Sequence, residues 1–314
     1  MSSLIEQAAA RLEQLRQAGA AIGSPATRVA SEAAGAPKPV APVAANTHRE
    51  DSEHQAAATS RMIELDLASM SAEGIVTPTA SRSQIADQYR VIKRPLIRNA
   101  TGRGVASVRH GNLIMVTSAL QGEGKSFTAV NLAMSMAMEL DHTVMLVDAD
   151  VARPSLPRML GFPDGPGLLD ILETSASMSS VLLRTNIDKL TILPSGRPHH
   201  RATELLASDA MRELLDDIAT RYADRIVIFD SPPLLLTTEA RVLAQHMGQV
   251  VMVVHANKTL QSDVEHALST IEMCPVRLML LNQARGNAIS GYGYGYGYGG
   301  GYGYGNEGRS ADSA

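Results

Sequence analysis

Short apolar runs alternate with longer amphipathic segments from about residue 81 onward. The apolar runs predict six strands, because each is too short for a helix and is rich in Val, Ile and Leu. The segments between them, such as 127–140 and 262–273, have helical spacing, and the second opens with a capping box from Ser262 to Glu265. This alternation predicts an α/β fold in which helices cover both faces of a mostly parallel sheet. The predicted strands are 112–118, 143–149, 190–195, 225–231, 249–256 and 276–282.

The two ends of the chain have different patterns. Residues 4–16 place Leu4, Ala8, Leu12 and Leu15 on one stripe of a short amphipathic helix. Residues 21–80, which follow this helix, are rich in alanine, proline and polar residues, and glycine alternates with tyrosine near the C-terminus. Neither composition favours a packed core. We therefore predict an amphipathic helix at 1–20, a disordered linker at 21–80, a folded domain at 81–286 and a disordered tyrosine-rich tail at 287–314.

Composition excludes several functional classes. With 45% hydrophobic residues the chain can build a sizeable core, and a net charge of −4 with a pI near 6.1 provides no overall basic field for nucleic acid. Cys274, the single cysteine, fits a reducing compartment. We find neither an apolar run near the roughly 18 residues that span a bilayer nor a signal-peptide pattern. These features predict a cytoplasmic protein whose membrane connection comes through a partner.

The predicted first strand leads into "SALQGEGKSF", residues 118–127. Gly124, Lys125 and Ser126 match the phosphate-loop pattern, while Ala119 replaces its first glycine. In such loops backbone amides surround phosphate oxygens, the lysine contacts the terminal phosphates and the hydroxyl ligates Mg²⁺. The position of this loop between a strand and a helix predicts an ATP site, in which the contacting residues are Gly122, Glu123, Gly124, Lys125, Ser126 and Phe127.

Carboxylates end two further strands of the predicted sheet. Asp148 and Asp150 follow the second strand, with Arg153 close behind, and Asp230 ends the fourth strand after four apolar residues. Carboxylates beside a phosphate loop serve as Mg²⁺ ligands or as a base, although Asp150 is also compatible with helix capping. The three strand ends together predict nucleotide hydrolysis or phosphoryl transfer with ATP and Mg²⁺.

The order "SALQGEGKS", "LVDADVARP", "IFDSPP" and a tyrosine cluster resembles the bacterial tyrosine kinases over residues 81–305. The stretches "DQYRVIKRPLIRNA", "GRPHHRATELLAS" and "RLEQLRQAG" resemble the exosortase-associated autokinases of exopolysaccharide gene clusters. The resemblance implies that Lys125, Asp148 and Asp150 are catalytic and that Ser126, Asp148, Asp150 and Asp230 organise the metal. It further implies phosphorylation between subunits of a ring, with acceptors Tyr292, Tyr294, Tyr296, Tyr298, Tyr302 and Tyr304. The implied partners are other copies of the chain, a transmembrane polysaccharide co-polymerase that activates the kinase, and a tyrosine phosphatase.

Two segments depart from the family pattern. Gln121 replaces a proline of the loop, and Asp87, Arg90 and Lys93 replace the E-x-x-R-x-x-R pattern of the family's oligomerisation helix. A lysine lacks the bidentate contacts of arginine, which would weaken a ring. Between Asp87 and Arg109 the chain carries several cations and no acidic residue, so this basic run suits a neighbouring subunit, an acidic membrane or a solvated face equally well.

Several alternatives stay open at this stage. A partition or positioning ATPase has the same fold, but its second loop lysine corresponds to Leu120 here. A nucleotide-gated scaffold with an adhesive Gly/Tyr tail is a further alternative. His199 and His200 lack a third metal ligand at suitable spacing, and Asn282 suits either an adenine contact or a turn.

Overall fold

A computed structural model describes residues 61–79, 83–104, 107–221 and 224–284 of the chain. The predicted N-terminal helix and the tail tyrosines lie outside these ranges. Within them the chain forms an eight-stranded sheet in the order β1-β4-β5-β3-β6-β2-β7-β8. The strands are β1 Arg61–Ile63, β2 Leu113–Ser118, β3 Thr143–Asp148, β4 Leu183–Thr185, β5 Leu190–Leu193, β6 Arg225–Asp230, β7 Gln249–His255 and β8 Val276–Asn282.

The sheet is mostly parallel, as the sequence predicts. β2, β3, β5, β6, β7 and β8 pair in parallel, whereas β4 runs antiparallel to β5. Every residue of β2 is buried, which is the pattern of a parallel strand covered on both faces. Two apolar clusters, one on each face, form the core.

Helices cover both faces of the sheet. They are α1 Leu67–Ala72, α2 Gln84–Ala100, α3 Lys125–Ala137, α4 Leu156–Leu160, α5 Leu168–Thr174, α6 Met178–Val181, α7 Ala202–Leu206, α8 Asp209–Arg221, α9 Thr238–Ala244 and α10 Gln261–Ser269. α3 follows the phosphate loop and is buried on nearly all sides, which explains its apolar sequence. The methionines of this helix, Met134 and Met136, are core residues.

The folded domain begins earlier than predicted. β1 pairs in parallel with β4, and α1 is capped by Asp66, whose carboxylate accepts hydrogen bonds from Ala68 and Ser69. The prediction of a linker through residue 80 is therefore wrong for 61–79. β1 and β4 have three residues each, too few to show an alternating pattern in the sequence.

Two local predictions also need correction. α10 begins at Gln261 after Leu260, with no side-chain cap, so Ser262 and Glu265 do not form the predicted capping box. On α2, Lys93 is buried and donates to the Ser135 carbonyl at 2.5 Å while pairing with Glu139 at 2.5 Å. Lys93 therefore anchors α2 within its own subunit and is not free to contact a neighbouring copy.

The sheet order brings the predicted motifs together. β6 lies between β2 and β3, and Asp148 is in register with Asp230 across β3 and β6. Carboxyl ends of parallel strands share one edge of a sheet. The phosphate loop and the acidic residues consequently meet at that edge.

Candidate active site

The phosphate loop turns through two left-handed glycines between β2 and α3. Gly122 has φ +83° and Gly124 has φ +93°, values that favour glycine. A Cβ on Gly124 would also lie 2.1 Å from Nδ2 of Asn282. The loop thus requires glycine at 124 for both backbone conformation and space, and it leads directly to Lys125 and Ser126 in the first turn of α3.

Glu123 and Asn282 hold the loop from behind. The Glu123 carboxylate accepts the Leu120 amide at 2.7 Å and the Thr259 hydroxyl, and this side chain is 3% exposed. Asn282 donates from Nδ2 to the Glu123 carbonyl at 2.9 Å. Only the backbone of Glu123 is therefore placed to contact a phosphate, and the side-chain amide of Asn282, at the end of β8, supports the loop.

Lys125 and Asp150 form a buried ion pair in the site. Lys125 Nζ lies 2.8 Å from Asp150 Oδ2, and both side chains are nearly enclosed. The Arg153 amide donates to Asp150 at 3.3 Å, and the Arg153 guanidinium donates to Gln121 at 2.8 Å. These contacts tie the segment after β3 to the phosphate loop and hold the lysine at the mouth of the site.

Asp148 and Asp230 form a second, fully buried acidic pair. Burial, with the charge of Asp230, raises the pKa of Asp148 to about 8. Burial also raises the pKa of Asp230 to about 6, opposed by the charge of Lys125 and by hydrogen bonds from Ser126 and Ser155. The Leu156 amide donates to Asp148 at 3.3 Å, and the Ser155 hydroxyl donates to Asp230 at 3.2 Å.

One oxygen of each of these carboxyls, Oδ1, is buried without a hydrogen-bond partner. Unsatisfied buried carboxylate oxygens are unusual and are suited to a cation or its water shell. The described residues contain no group of three or more His, Cys, Asp or Glu side chains that could hold a metal alone. Mg²⁺ fits this donor set if nucleotide phosphates and water supply the remaining ligands, and it would neutralise phosphate charge there.

His199 does not take part in this site. Its Nε2 lies 2.9 Å from Oε1 of Glu173, on the short α5 helix. The rings of His199 and His200 lie beside each other, with their centroids 4.5 Å apart.

An open cavity of about 960 Å³ lies in front of the loop. Of the predicted residues, Gly122, Gly124, Lys125, Ser126, Phe127, Asp150 and Arg153 line it, whereas Asp148 and Asp230 lie behind its wall. Sequence reasoning missed Arg158 and the Pro232–Pro233 pair, which also line the cavity. The "RPSLPR" and "DSPP" stretches carried that signal, since the first begins three residues after Asp150 and the second begins with Asp230.

Known proteins are similar to this chain over the region that contains the phosphate loop and the acidic residues. The ParA family model, described as the NUBPL iron-transfer P-loop NTPase, matches residues 109–281. The tyrosine-protein kinase YwqD of Bacillus subtilis is 31% identical over 205 residues, covering 65% of this chain and 83% of that protein. The chain belongs to the ParA family of P-loop NTPases and, within that fold, to the bacterial tyrosine kinases.

Some other relatives of this kinase are much longer proteins, and for others the structure of the kinase domain has been solved. It is 30% identical to the tyrosine-protein kinase ptk of Acinetobacter johnsonii over 198 residues, but spans only 26% of that protein. The VpsO kinase domain is 28% identical, with a TM-score of 0.51 over 64% of this chain and all of the solved one. Among the described residues, no helix is long and apolar enough to cross a membrane.

Proposed function

We propose that the kinase is an ATP- and Mg²⁺-dependent autokinase that transfers phosphate to the tyrosines of its own C-terminal tail, mainly between subunits. The observation that carries the proposal is the junction of Asn282 with the phosphate loop, where its side chain donates to the Glu123 carbonyl at 2.9 Å. The chain that leads to the tail therefore leaves the domain beside the candidate active site.

The arrangement supports specific roles for the site residues. Lys125 moves from Asp150 to the terminal phosphates when ATP binds, and the loop amides surround the phosphate oxygens. Released from the lysine, Asp150 lines the cavity and faces the incoming hydroxyl. A tyrosine hydroxyl with a pKa near 10 needs a base or a metal field at neutral pH; Asp150, which lines the cavity, would supply the base, and the buried Asp148 would act through the metal. Asp230 and Ser126 would hold Mg²⁺ and its water shell.

The length of the tail suits transfer within or between subunits. From Asn282 to Tyr304 the chain extends at most roughly 75 Å, whereas a flexible coil of that length averages about 25 Å. Glycine on both sides of each tyrosine removes side-chain obstruction, so several acceptors can enter one narrow site. We expect no single tyrosine to be essential.

The wider setting follows from the resemblance of the sequence to exosortase-associated autokinases. In this proposal the kinase works as a homo-oligomeric ring at the cytoplasmic face of the membrane and regulates exopolysaccharide synthesis or export. A transmembrane co-polymerase recruits and activates it through residues 4–16 or the basic run, and a tyrosine phosphatase reverses the reaction. A pull-down in which deletion of residues 1–20 changes neither partner binding nor activation would remove the helix from this scheme.

The decisive experiment mixes two variants with ATP and Mg²⁺. One is Lys125→Met with an intact tail, and the other is an active chain truncated after Ala288. Phosphotyrosine on the Lys125→Met chain is the expected result, because only its tail carries acceptors and only its partner has an intact site. A Lys125→Met chain whose six tail tyrosines are replaced by phenylalanine is the control. The absence of labelling, where the unsubstituted chain labels itself, would refute transfer between subunits.

The ParA match keeps one competing function in view, a nucleotide-gated scaffold with an adhesive tail. Such a scaffold binds ATP and changes its assembly without forming phosphotyrosine. Mass spectrometry of the purified chain after incubation with ATP separates the two functions, since only the kinase gains phosphate on its tail.

A further inference from the structure

The last strand of the sheet has an uncovered edge. β8 pairs along one side with β7 and ends the strand order, and no strand of the described residues pairs with its other side. Alternate residues of β8 face opposite ways: Leu278 and Leu280 pack against the core, while Met279 and Leu281 are 60% and 64% exposed. Arg277 lies in the same exposed row. A seven-residue edge with an apolar row is a surface on which a further strand can add.

The tail has the matching periodicity. All six of its tyrosines occupy even positions, including Tyr302 and Tyr304 beyond the triple glycine at 299–301. Because side chains alternate across a strand, an extended tail would present every ring on one face and only glycine on the other. Such a strand can pack its aromatic rings on one face of the sheet. Its other face has only glycine and therefore no side chain that must be buried.

We infer that residues 291–297 of the same chain dock on the free edge of β8 as an antiparallel strand. The connection from β8 begins at Gln283, whose φ of +57° turns the chain at the end of the strand. Residues 283–290 then provide eight residues for the reversal, which is longer than the roughly two to five residues of most hairpin loops but shorter than the roughly 12 residues above which loops become uncommon. The tail thus reaches this edge without crossing any other element.

Face matching selects the register. With Gly291 opposite Asn282, the three rings of Tyr292, Tyr294 and Tyr296 lie beside the exposed row of β8. Their cross-strand neighbours are then Leu281, Met279 and Arg277, which give aromatic–aliphatic, sulfur–aromatic and cation–π contacts. A slip by one residue would move the rings to the face of Leu278 and Leu280, which the core already covers.

The docked strand divides the tyrosines into two groups. Three lie along β8, whereas Tyr298, Tyr302 and Tyr304 extend past its end. Phosphate on Tyr292 or Tyr294 would place a dianion beside Leu281 or Met279, so the docked form is that of a tail unmodified at these two tyrosines. The edge of β8 therefore stores the inner tyrosines and leaves the outer ones available.

The test measures amide hydrogen exchange of β8 in three full-length chains without nucleotide. One chain is unsubstituted, the second carries Asp at the inner tyrosines 292, 294 and 296, and the third carries Asp at the outer tyrosines 298, 302 and 304. We expect exchange of the β8 amides that face the free edge to rise about 3-fold to 100-fold in the second chain, from loss of three cross-strand pairs. The third chain has the same charge change and should exchange like the unsubstituted one.

Equal exchange in all three chains, or an equal rise in both variants, would overturn the inference. Protection that depends on protein concentration would assign the added strand to another copy and overturn the same-chain docking. Because no ATP is present, these outcomes are independent of whether the tail is phosphorylated.

A second measurement changes the edge. In the double variant Met279→Lys and Leu281→Lys, chymotrypsin should cleave after Tyr292, Tyr294 and Tyr296 as fast as after the outer tyrosines. The matched control is Leu140→Lys with Met273→Lys, at positions that are 86% and 81% exposed. Slow cleavage at the inner sites should persist in the control, and its persistence in the edge variant would contradict docking on β8.

Discussion

Replacement of Asp148 by asparagine should stabilise the nucleotide-free protein while impairing the kinase. Asp148 is completely buried, and its pKa is raised to about 8 by burial and by Asp230. At neutral pH the folded protein therefore keeps this carboxyl protonated, whereas the unfolded chain ionises it. Asparagine keeps the shape and the acceptor for the Leu156 amide without requiring a proton.

The sign and size of the effect follow from linkage. Between the ordinary pKa of 3.8 and the raised value, the folded state binds more protons than the unfolded state, so stability falls as pH rises through that window. From pH 3.8 to pH 7, at about 1.36 kcal/mol per pH unit, the cost is at most about 4 kcal/mol. Asp148→Asn removes this cost, so its gain should be near zero at pH 4, grow towards pH 8 and then level off.

The assay is urea unfolding of both chains between pH 4 and pH 9, without nucleotide and without Mg²⁺. Asp164→Asn, at an exposed loop position, is the control and should change stability little at any pH. Mg·ATP should raise the midpoint of the unsubstituted chain and raise that of Asp148→Asn less. A variant less stable than the unsubstituted chain at pH 8, or a difference that does not change with pH, would refute the reasoning.

Three further predictions concern the phosphate loop and Asp150, which pairs with its lysine. Lys125→Met should abolish labelling or nucleotide binding, because the lysine ammonium neutralises phosphate charge, and it should leave the far-ultraviolet circular dichroism unchanged. Labelling at the rate of the unsubstituted chain would show that Lys125 is not part of the site. Asp150→Asn should reduce labelling strongly, though less than Asp148→Asn, and full activity in a labelling time course would exclude its carboxylate from an essential role. Gly124→Ala should lower the free energy of unfolding by about 1 kcal/mol or more and weaken ATP binding in calorimetry, because the backbone there is left-handed and a Cβ meets Asn282. Unchanged affinity would contradict the tight packing of the loop.

The sequence by itself determined the class of fold and the chemical elements of the site. The six predicted apolar runs correspond to β2, β3, β5, β6, β7 and β8. They could be recognised because a parallel strand that is buried on both faces consists of consecutive apolar residues. Lys125, Asp148 and Asp230 could be recognised because strand ends and a phosphate loop have local signatures. The rule that carboxyl ends share one edge then predicted their meeting.

Only the tertiary structure decided which groups face the cavity and which support it. Glu123 is bound from behind by Leu120 and Thr259, and Asn282 reaches the loop across 159 positions of sequence, contacts that no local pattern contains. Lys93 looked available for a neighbour, yet Ser135 and Glu139 bind it within the fold. β1 and β4 are too short for a pattern of their own, because pairing with partners distant in sequence defines them. Burial, which raises the pKa of Asp148, is likewise a property of the assembled sheet rather than of any segment.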